Sequence, residues 1–540
     1  MKRLNFLLVL AAFIVVAGCG KRETRVEAGD RQQILHLGNG DELEDIDPQV
    51  ATGVTEHNVI SSLFESLVTE DPKDLHPIPG VAERWEISDD KLVYTFYLRK
   101  TAKWSNGDSV TANDFYKSYQ RILNPKLASE YANMLFMVKN AEKFYKGEIK
   151  EFGEVGFKVV DDYTFQVTLV SPTPYFLGMV AHHYSWWPVH IPTVEKFGGM
   201  ERKGTAWTKA ENFVGNGPFV LKEWRINQVL VVKKSPTYWD KDVVRLNEIH
   251  FYPIQSRDTE DRAFRAGQLH VTYEVHRPKM DSYKKDFANM LRMDPYLGVY
   301  MYRINVTHPS LKDKRVRQAL AMSVDRDSIV KNVSRAGETP AYHYTPPNLE
   351  GYTPRARLTY DLVAAKKLLA EAGFPEGKGL PPVEIHFNTD EKHKSVAEAI
   401  QQMWKRDLGI EATLVNQEWK VFLDTQDTLS YQVSRSGWIG DYIDPNTFLE
   451  MWKTGDGNND TGWSNAEYDR LIDQARMTAD TTARYELFQK AEAILLEECP
   501  VIPIYFYTKP YLVRPSVKNW YSTVMDHHPY KYVYLEPAAK

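Results

Sequence analysis

The stretch Arg435-Ser436-Gly437-Trp438-Ile439-Gly440-Asp441 places two opposite charges six positions apart, with two glycines and a tryptophan between them. Asp441 could hold an ammonium group, and Arg435 could bind a carboxylate through two parallel hydrogen bonds. The glycines let backbone come close to a ligand, and Trp438 offers a broad apolar surface between the charges. These parts suit a zwitterion with an apolar middle, such as a short peptide. Taken alone, the more ordinary interpretation is a strand end and turn whose two charges pair at the surface.

Residue patterns that carry catalysis do not occur in the sequence. It has no His-Glu-x-x-His motif and no Gly-x-Ser-x-Gly elbow, and the Gly-rich segment 212–219 lacks the Lys-Ser/Thr of a phosphate loop. His182-His183 and His527-His528 are adjacent pairs. Neighbours on a strand face opposite ways, so we expect neither pair to bind a metal ion jointly. We predict no catalytic residue, no metal site and no cofactor, which leaves an exported hydrolase as a weaker alternative.

One further segment has the acidic and amide spacing of a calcium loop. It runs from Asp456 to Gly462, but Thr461 stands where such a loop needs glycine. We therefore expect a surface loop there rather than a cation site.

Length and composition set broad bounds. A chain of 540 residues is too long for one hydrophobic core and predicts two or three domains. The net charge of −5 argues against a nucleic-acid-binding protein, because such proteins carry an excess of basic residues. Aromatic residues make up 12% of the chain, which suits either a large binding surface or an aromatic-rich core.

The N-terminus has the features of a targeting segment. Met1-Lys2-Arg3 is basic, residues 4–16 are almost wholly apolar, and Val16-Ala17-Gly18-Cys19 resembles a bacterial lipobox. That resemblance implies cleavage before Cys19, lipid attachment to its thiol and a periplasmic or extracytoplasmic location. The alternative is an ordinary signal peptide that happens to contain a cysteine. The other cysteine, Cys499, is then without a disulfide partner, and we interpret it as a small buried residue.

Hydrophobic periodicity predicts a mixture of helices and strands. Residues 85–98 predict two strands, and Thr111 with Asp114 predicts a capped helix that ends near Leu123. In the second half, strands over 383–388 and 411–415 flank a helix over about 394–407. A strand–helix–strand unit of this kind implies a parallel sheet. Residues 21–33 are polar and charged, so we expect a flexible tether there.

An ordered set of short motifs resembles the dipeptide and oligopeptide-binding proteins of ABC importers, which form solute-binding protein family 5. The resemblance covers nearly all of the mature chain. Its marks are Asp47-Pro48, Leu63-Phe64-Glu65-Ser66-Leu67, Pro79-Gly80-Val81-Ala82-Glu83-Arg84-Trp85, Trp104-Ser105-Asn106-Gly107, Ser235-Pro236-Thr237-Tyr238-Trp239, Asp325-Arg326-Asp327, Pro340-Ala341-Tyr342, Tyr344-Thr345-Pro346-Pro347 and Val415-Asn416-Gln417-Glu418-Trp419-Lys420.

The resemblance implies an α/β chain with the type II periplasmic-binding-protein fold, two lobes around a ligand cleft and a small extra α/β domain. A signal peptide (1–18) and a lipid-anchored tether (19–33) would precede a discontinuous first lobe (34–84, 189–297 and 508–540). The extra domain would take 85–188, and the other lobe 298–507. The implied partners are short peptides, the permease subunits of an ABC transporter and the membrane through the lipid anchor, with the protein acting as a monomer and no nucleic acid involved.

The same resemblance assigns roles to individual residues. Asp441 would take the peptide amino group, and Arg435 would be available to its carboxylate. The remaining positions implied to contact the ligand are Gly437, Trp438, Tyr131, Val54, Gly53, Trp419, His393 and Tyr273.

Two departures leave the ligand open. Thr52 and Ser334 stand where a close relative has charged residues, so the preferred ligand length is not fixed by the resemblance. A modified peptide such as a cell-wall fragment, or a non-peptide ligand such as a metal chelate or haem, remains an alternative.

Overall fold

The computed structural model describes residues 23–537, apart from the side chains of residues 419 and 420. The signal peptide and the lipidation site expected at Cys19 lie outside the described residues. Within this range, none of the helices combines the length and the apolarity needed to cross a bilayer.

The first part of the described chain alternates short helices and strands. Its elements are α1 (Arg25–Gln32), β1 (Ile34–Gly38), α2 (Val54–Leu63), β2 (Val68–Glu70), β3 (Pro77–Pro79), β4 (Ala82–Ile87), β5 (Val93–Leu98), α3 (Ala112–Ile122), α4 (Ala141–Tyr145), β6 (Phe157–Asp161), β7 (Thr164–Thr168), α5 (Phe176–His182), α6 (Ile191–Lys196), β8 (Phe219–Arg225), β9 (Val229–Lys234), β10 (Glu248–Tyr252), α7 (Arg257–Arg265) and α8 (Met280–Asp286).

The second part contains the longest strands and helices. Its elements are β11 (Leu291–Ile304), α9 (Lys314–Met322), α10 (Arg326–Ser328), β12 (Thr339–Pro340), α11 (Leu362–Glu371), β13 (Val383–Asn388), α12 (Glu391–Met403), β14 (Ala412–Gln417), α13 (Trp419–Asp427), β15 (Val433–Ile439), α14 (Asn446–Leu449), α15 (Ala466–Met477), α16 (Thr481–Glu498), β16 (Val501–Leu512), β17 (Val517–Lys518) and β18 (Tyr534–Leu535).

Three larger sheets organise these elements, beside the two-stranded sheets β2-β3 and β17-β18. One has four strands in the order β1-β10-β9-β8, and a second, antiparallel one has four strands in the order β4-β5-β7-β6. The third has six strands in the order β12-β16-β11-β15-β13-β14. In it β13 runs parallel to both β14 and β15, which confirms the predicted parallel unit. The sheet is nevertheless mixed, because β11 pairs antiparallel with β15 and β16.

We call residues 34–290 with 513–537, built around the two four-stranded sheets, the N-terminal body, and residues 298–507, built around the six-stranded sheet, the C-terminal body. Strands β11 and β16 pass side by side from one body into the other. Their pairing begins at Leu291 with Leu512, and the register shifts between Pro295 and Val299. The limits of the lobes given above remain our interpretation of this arrangement.

Local sequence signals form the elements that they predict. Tyr94, Phe96 and Leu98 of β5 are buried while their neighbours are not, as expected of a strand with one face on a core. The hydroxyl of Thr111 and the carboxylate of Asp114 cap the start of α3 reciprocally. Both strands predicted over 85–98 and the helix ending near Leu123 are confirmed.

The tether predicted over 19–33 is wrong for its second half, where α1 forms. Thr24 and Glu27 make a reciprocal capping box at its first turn. Val26 is buried, and the carboxylate of Asp30 lies 3.1 Å from Nε2 of the buried His270. The amide of Val26 also donates to the Gly267 carbonyl oxygen at 2.9 Å, and these contacts together hold the helix onto the N-terminal body.

A buried ion pair explains the Asp47-Pro48 motif. Arg121 on α3 is fully buried, and its guanidinium donates to both carboxylate oxygens of Asp47, at 3.0 and 2.5 Å. Further donations reach Gln49 Oε1 at 2.7 Å and the carbonyl oxygen of Gly199 at 2.9 Å. The segment that precedes α2 is thus tied to α3 by buried hydrogen bonds.

Candidate functional site

The stretch from Arg435 to Asp441 lies on β15 and the turn that follows it. Arg435 is opposite Tyr302 of β11 in the ladder, and Gly437 is opposite Tyr300. After the strand ends, the amide of Asp441 donates to Oγ1 of Thr447 at 3.1 Å. Both charged residues therefore belong to one interior strand of the C-terminal body and the turn that follows it.

The Arg435 side chain is surrounded by tyrosines rather than by carboxylates. Its Nη2 donates to the hydroxyl of Tyr507 at 3.1 Å, and its Nη1 lies 3.4 Å from Oδ1 of Asn388. The guanidinium also lies over the ring of Tyr300, 4.9 Å from the centroid. Its Nε is buried without a hydrogen-bond partner. Among residues 23–537 no acidic side chain forms an ion pair with it. This guanidinium therefore keeps N–H groups available to donate to an anion.

Two basic residues of α12 adjoin Arg435. The Lys392 ammonium lies 5.6 Å from the ring centroid of Tyr507. Burial, with a contribution from Arg277, lowers the pKa of Lys392 to about 8. His393 Nδ1 lies 3.1 Å from the Tyr300 hydroxyl. Burial and then Arg435 hold the pKa of His393 far below its usual value, so this imidazole is neutral at pH 7. The region is therefore cationic and suited to a carboxylate.

Asp441 is at the other end of the site, in a cavity of about 160 Å³ between the two bodies. Burial, followed by the nearby charge of Glu450, raises the pKa of Asp441 to about 7. None of the described basic side chains forms an ion pair with it. The cavity is lined by Thr52, Gly53, Val54, His57, Asn58, Tyr131, His182, His183, Tyr184, Tyr296, Ile439, Gly440, Asp441, Met525, Asp526 and His527.

Three predicted residues of the N-terminal body face Asp441 across this cavity. The Tyr131 hydroxyl lies 3.5 Å from the Thr52 carbonyl oxygen, and burial followed by the charge of Asp441 raises the pKa of Tyr131 to about 12. Gly53 is the residue before α2, and Val54 opens that helix with 43% of its surface exposed. The structure thus brings Tyr131, Gly53 and Val54 together with Asp441.

Gly437 is required by a close contact. A Cβ atom built there would lie 2.5 Å from the Tyr507 hydroxyl oxygen and 3.5 Å from Nη2 of Arg435. Any side chain at this position would displace the tyrosine that Arg435 contacts.

Trp438 does not lie between the two charges, where the sequence pattern predicted it. Its indole packs against the core of the C-terminal body, and its Nε1 donates to the Thr447 carbonyl oxygen at 2.7 Å. Successive residues of a strand point to opposite faces, so a tryptophan between Gly437 and Ile439 turns away from the side that carries Arg435. The expectation that its ring separates the two charges is wrong.

One other expected residue, Tyr273, stands apart from the Asp441 cavity. Tyr273 lies against a smaller cavity, with the Lys509 ammonium 3.9 Å from its ring centroid and its amide bonded to Glu260. Trp419 begins α13, but its side chain is outside the described residues.

Sequence reasoning missed several residues that shape the site, namely Lys392, Tyr300, Tyr507, Arg277 and Thr447. Tyr505 and Tyr507 alternate on β16, and Lys392 directly precedes the histidine that was singled out. These signals are weak, because only the pairing of β11 with both β15 and β16 places the tyrosines beside Arg435.

Comparison with known proteins identifies a single family. Residues 76–460 match the model of the bacterial extracellular solute-binding proteins, family 5. The chain is 40% identical over 508 residues to the periplasmic oligopeptide-binding protein OppA of Salmonella typhimurium, covering 92% of this chain and 91% of the relative.

Two solved structures resemble it closely. The murein tripeptide binding protein MppA of Escherichia coli has a TM-score of 0.80 at 34% identity, covering 93% of this chain and 98% of that one. Haemophilus influenzae OppA in complex with the peptide RPPGFSPFR has a TM-score of 0.79 at 35% identity, covering 93% and 99%.

Proposed function

This chain belongs to family 5 of the bacterial extracellular solute-binding proteins, and from this premise we propose that it captures short peptides between Asp441 and Arg435 and delivers them to an ABC transporter. The observation that carries the proposal is a pair of half-buried, opposite charges without protein counter-ions among the described residues. A buried charge without a partner is costly and is kept where a ligand supplies the partner. A peptide supplies both, an ammonium for Asp441 and a carboxylate for Arg435.

The spacing of the two anchors bounds the ligand. At about 3.3 Å per residue, the segment from Arg435 to Asp441 spans at most about 20 Å. An extended peptide of the same span has about six residues, so the proposed ligand is a short peptide. Both anchors recognise groups that every free peptide carries, so the site tolerates diverse sequences.

The murein-peptide alternative rests on the similarity to MppA, whose name specifies a murein tripeptide. Lys392 favours it, because this cation beside Arg435 could take an additional acidic group of a modified peptide. Native mass spectrometry of purified protein separates the possibilities. Co-purified masses of ordinary short peptides support our proposal, masses of a murein tripeptide favour the alternative, and a metal chelate or haem would contradict both.

The affinity of the site depends on pH through Asp441. With a pKa of about 7, the carboxyl group is mostly protonated below neutral pH, while the peptide amino group, with a pKa near 8, is still an ammonium. We expect the affinity for trialanine to fall about tenfold for each pH unit below 7, as measured by calorimetry between about pH 5.5 and 7.5. Asp441→Asn should bind weakly at every pH. An affinity of the unaltered protein that does not change over this range would contradict the assignment.

The proposal includes a lipid anchor at the N-terminus. Val16-Ala17-Gly18-Cys19 supports lipidation at Cys19 and attachment to the membrane. An unmodified, soluble mature form in an intact-mass measurement would exclude this anchor. One chain carries both ends of the site, so a monomer suffices. We infer binding without catalysis, because the relatives are named as binding proteins.

A further inference from the structure

Three side chains from distant parts of the chain meet beside the ligand cavity. Glu70 ends β2, His182 ends α5, and His527 lies in the C-terminal segment of the N-terminal body. Oε1 of Glu70 lies 2.5 Å from Nδ1 of His182 and 2.7 Å from Nδ1 of His527. The exposed fractions of the side chains are 2% for His182, 11% for Glu70 and 12% for His527. The group is sheltered but can be reached from solvent.

The sequence predicted that neither His182-His183 nor His527-His528 binds a metal ion as a pair. The two members of each pair do point apart, but one histidine from each pair contacts Glu70. His183 turns to the hydroxyl of Ser185, at 2.8 Å, and His528 turns to the carboxylate of Asp526, at 3.2 Å. The pairs thus supply one ligand each rather than two together.

We propose that Glu70, His182 and His527 bind a divalent transition-metal ion of the Zn²⁺ type. Two imidazole nitrogens and one carboxylate oxygen form the donor set of zinc sites that keep a fourth position open. One candidate donor atom from each residue lies within 4.8 Å of the other two. A bound ion would replace the two hydrogen bonds that Glu70 now shares with the histidines, at zinc–ligand distances near 2.0–2.2 Å.

A fourth side chain packs against the group. His57 stacks on His527 with ring centroids 4.1 Å apart, so the imidazole of His527 is held in place from one side.

The position of the group connects it to the cleft. His182 and His527 line the same cavity as Asp441, and Glu70 lines the adjoining one with His57 and His527. The open coordination position of a bound ion would therefore be close to the space where a ligand enters. The metal proposal does not depend on peptide binding, because its donor atoms are all from the N-terminal body.

A second group of possible ligands provides a matched control. Asp71, Asp74 and His76 also bring three donor atoms together, but on the surface, where Asp74 and His76 are exposed. Weak surface binding of zinc would go through this group. Substituting His76 therefore separates adventitious binding from the sheltered site.

The test is calorimetric titration of ZnCl₂ into tag-free protein that has been stripped with EDTA, since a polyhistidine tag would itself bind zinc. We expect one ion per chain with a Kd of about 1 µM or lower. His182→Gln and His527→Gln should each weaken binding by roughly 100-fold, because each removes one of three ligands. His76→Gln and His183→Gln should leave binding unchanged.

A second readout keeps the proposal testable if a variant folds poorly. Co²⁺ added to the unaltered protein should give the visible absorption of a histidine-bound four- or five-coordinate ion, and Zn²⁺ should abolish it. The affinity for trialanine, measured on the same samples without metal, reports folding and peptide binding separately. Absence of stoichiometric zinc binding, its survival in His182→Gln, or its loss in His76→Gln would overturn the metal site whatever the peptide result.

Discussion

Replacing Asp441 by alanine is expected to weaken peptide binding at least about 100-fold. Asp441 is half-buried and has no ion-pair partner among the described residues, so under the proposed function the ligand ammonium is the charge that compensates it. Breaking a buried ion pair typically costs roughly 3–5 kcal/mol, and each 1.4 kcal/mol is about tenfold in Kd. Calorimetric titration of trialanine at pH 7.5, where the carboxylate is ionised, measures the loss.

Two further variants test whether the loss of the carboxylate charge causes the loss of affinity. Asp441→Asn keeps the shape of the side chain and should lose nearly as much affinity, because the charge is what the ligand requires. Asp427→Ala removes an exposed carboxylate of α13 in the same body and should bind like the unaltered protein. If Asp441→Ala binds trialanine with unchanged affinity, the amino group is held elsewhere and the orientation proposed for the ligand is wrong.

The largest effect on stability is expected for Asp47→Ala. This change leaves the guanidinium of the fully buried Arg121 without its carboxylate, while Gln49 and the Gly199 carbonyl supply only neutral acceptors. An uncompensated buried charge costs roughly 3–5 kcal/mol. Urea unfolding followed by tryptophan fluorescence should show a decrease of this size in the free energy of unfolding.

The matched control is an ion pair of the same kind on the surface. Lys126 and Glu201 lie 3.0 Å apart with most of the lysine side chain exposed, and such pairs contribute at most about 1 kcal/mol. Glu201→Ala should therefore unfold almost like the unaltered protein. If Asp47→Ala and Glu201→Ala lower the free energy of unfolding by the same amount, the buried ion pair contributes no more to stability than the surface pair.

Elements with a complete local signal could be predicted from the sequence. The strands around residues 85–98 carry alternating apolar side chains, and the helix after Thr111 carries its own capping box. Helix α1 has a capping box as well, but only one of its apolar side chains, Val26, is buried. Its polar composition led to the prediction of a tether, because the contact of Asp30 with His270 depends on a strand pairing far along the chain.

The charged ends of the site could also be predicted, because Arg435 and Asp441 are in one short stretch. The orientation of Trp438 could have been predicted from the sequence, since strict alternation on β15 puts its side chain on the face opposite Arg435. The partners of Arg435 were not, because Tyr507 and Lys392 reach it only through the order of strands in the six-stranded sheet. The meeting of His182 with His527 likewise depends on how the C-terminal segment returns to the N-terminal body.

Strands β11 and β16 join the two bodies, and both proposed anchors lie on the same side of that junction. The register shift between Pro295 and Val299 interrupts the ladder where it passes between the bodies. A rotation of one body against the other at this point would move Tyr131 relative to Asp441, but it would leave the Asp441–Arg435 separation almost unchanged, because both residues belong to β15 and its following turn. Under the proposed function, the C-terminal body alone would therefore set the length of the ligand, and the N-terminal body would add contacts without changing that length.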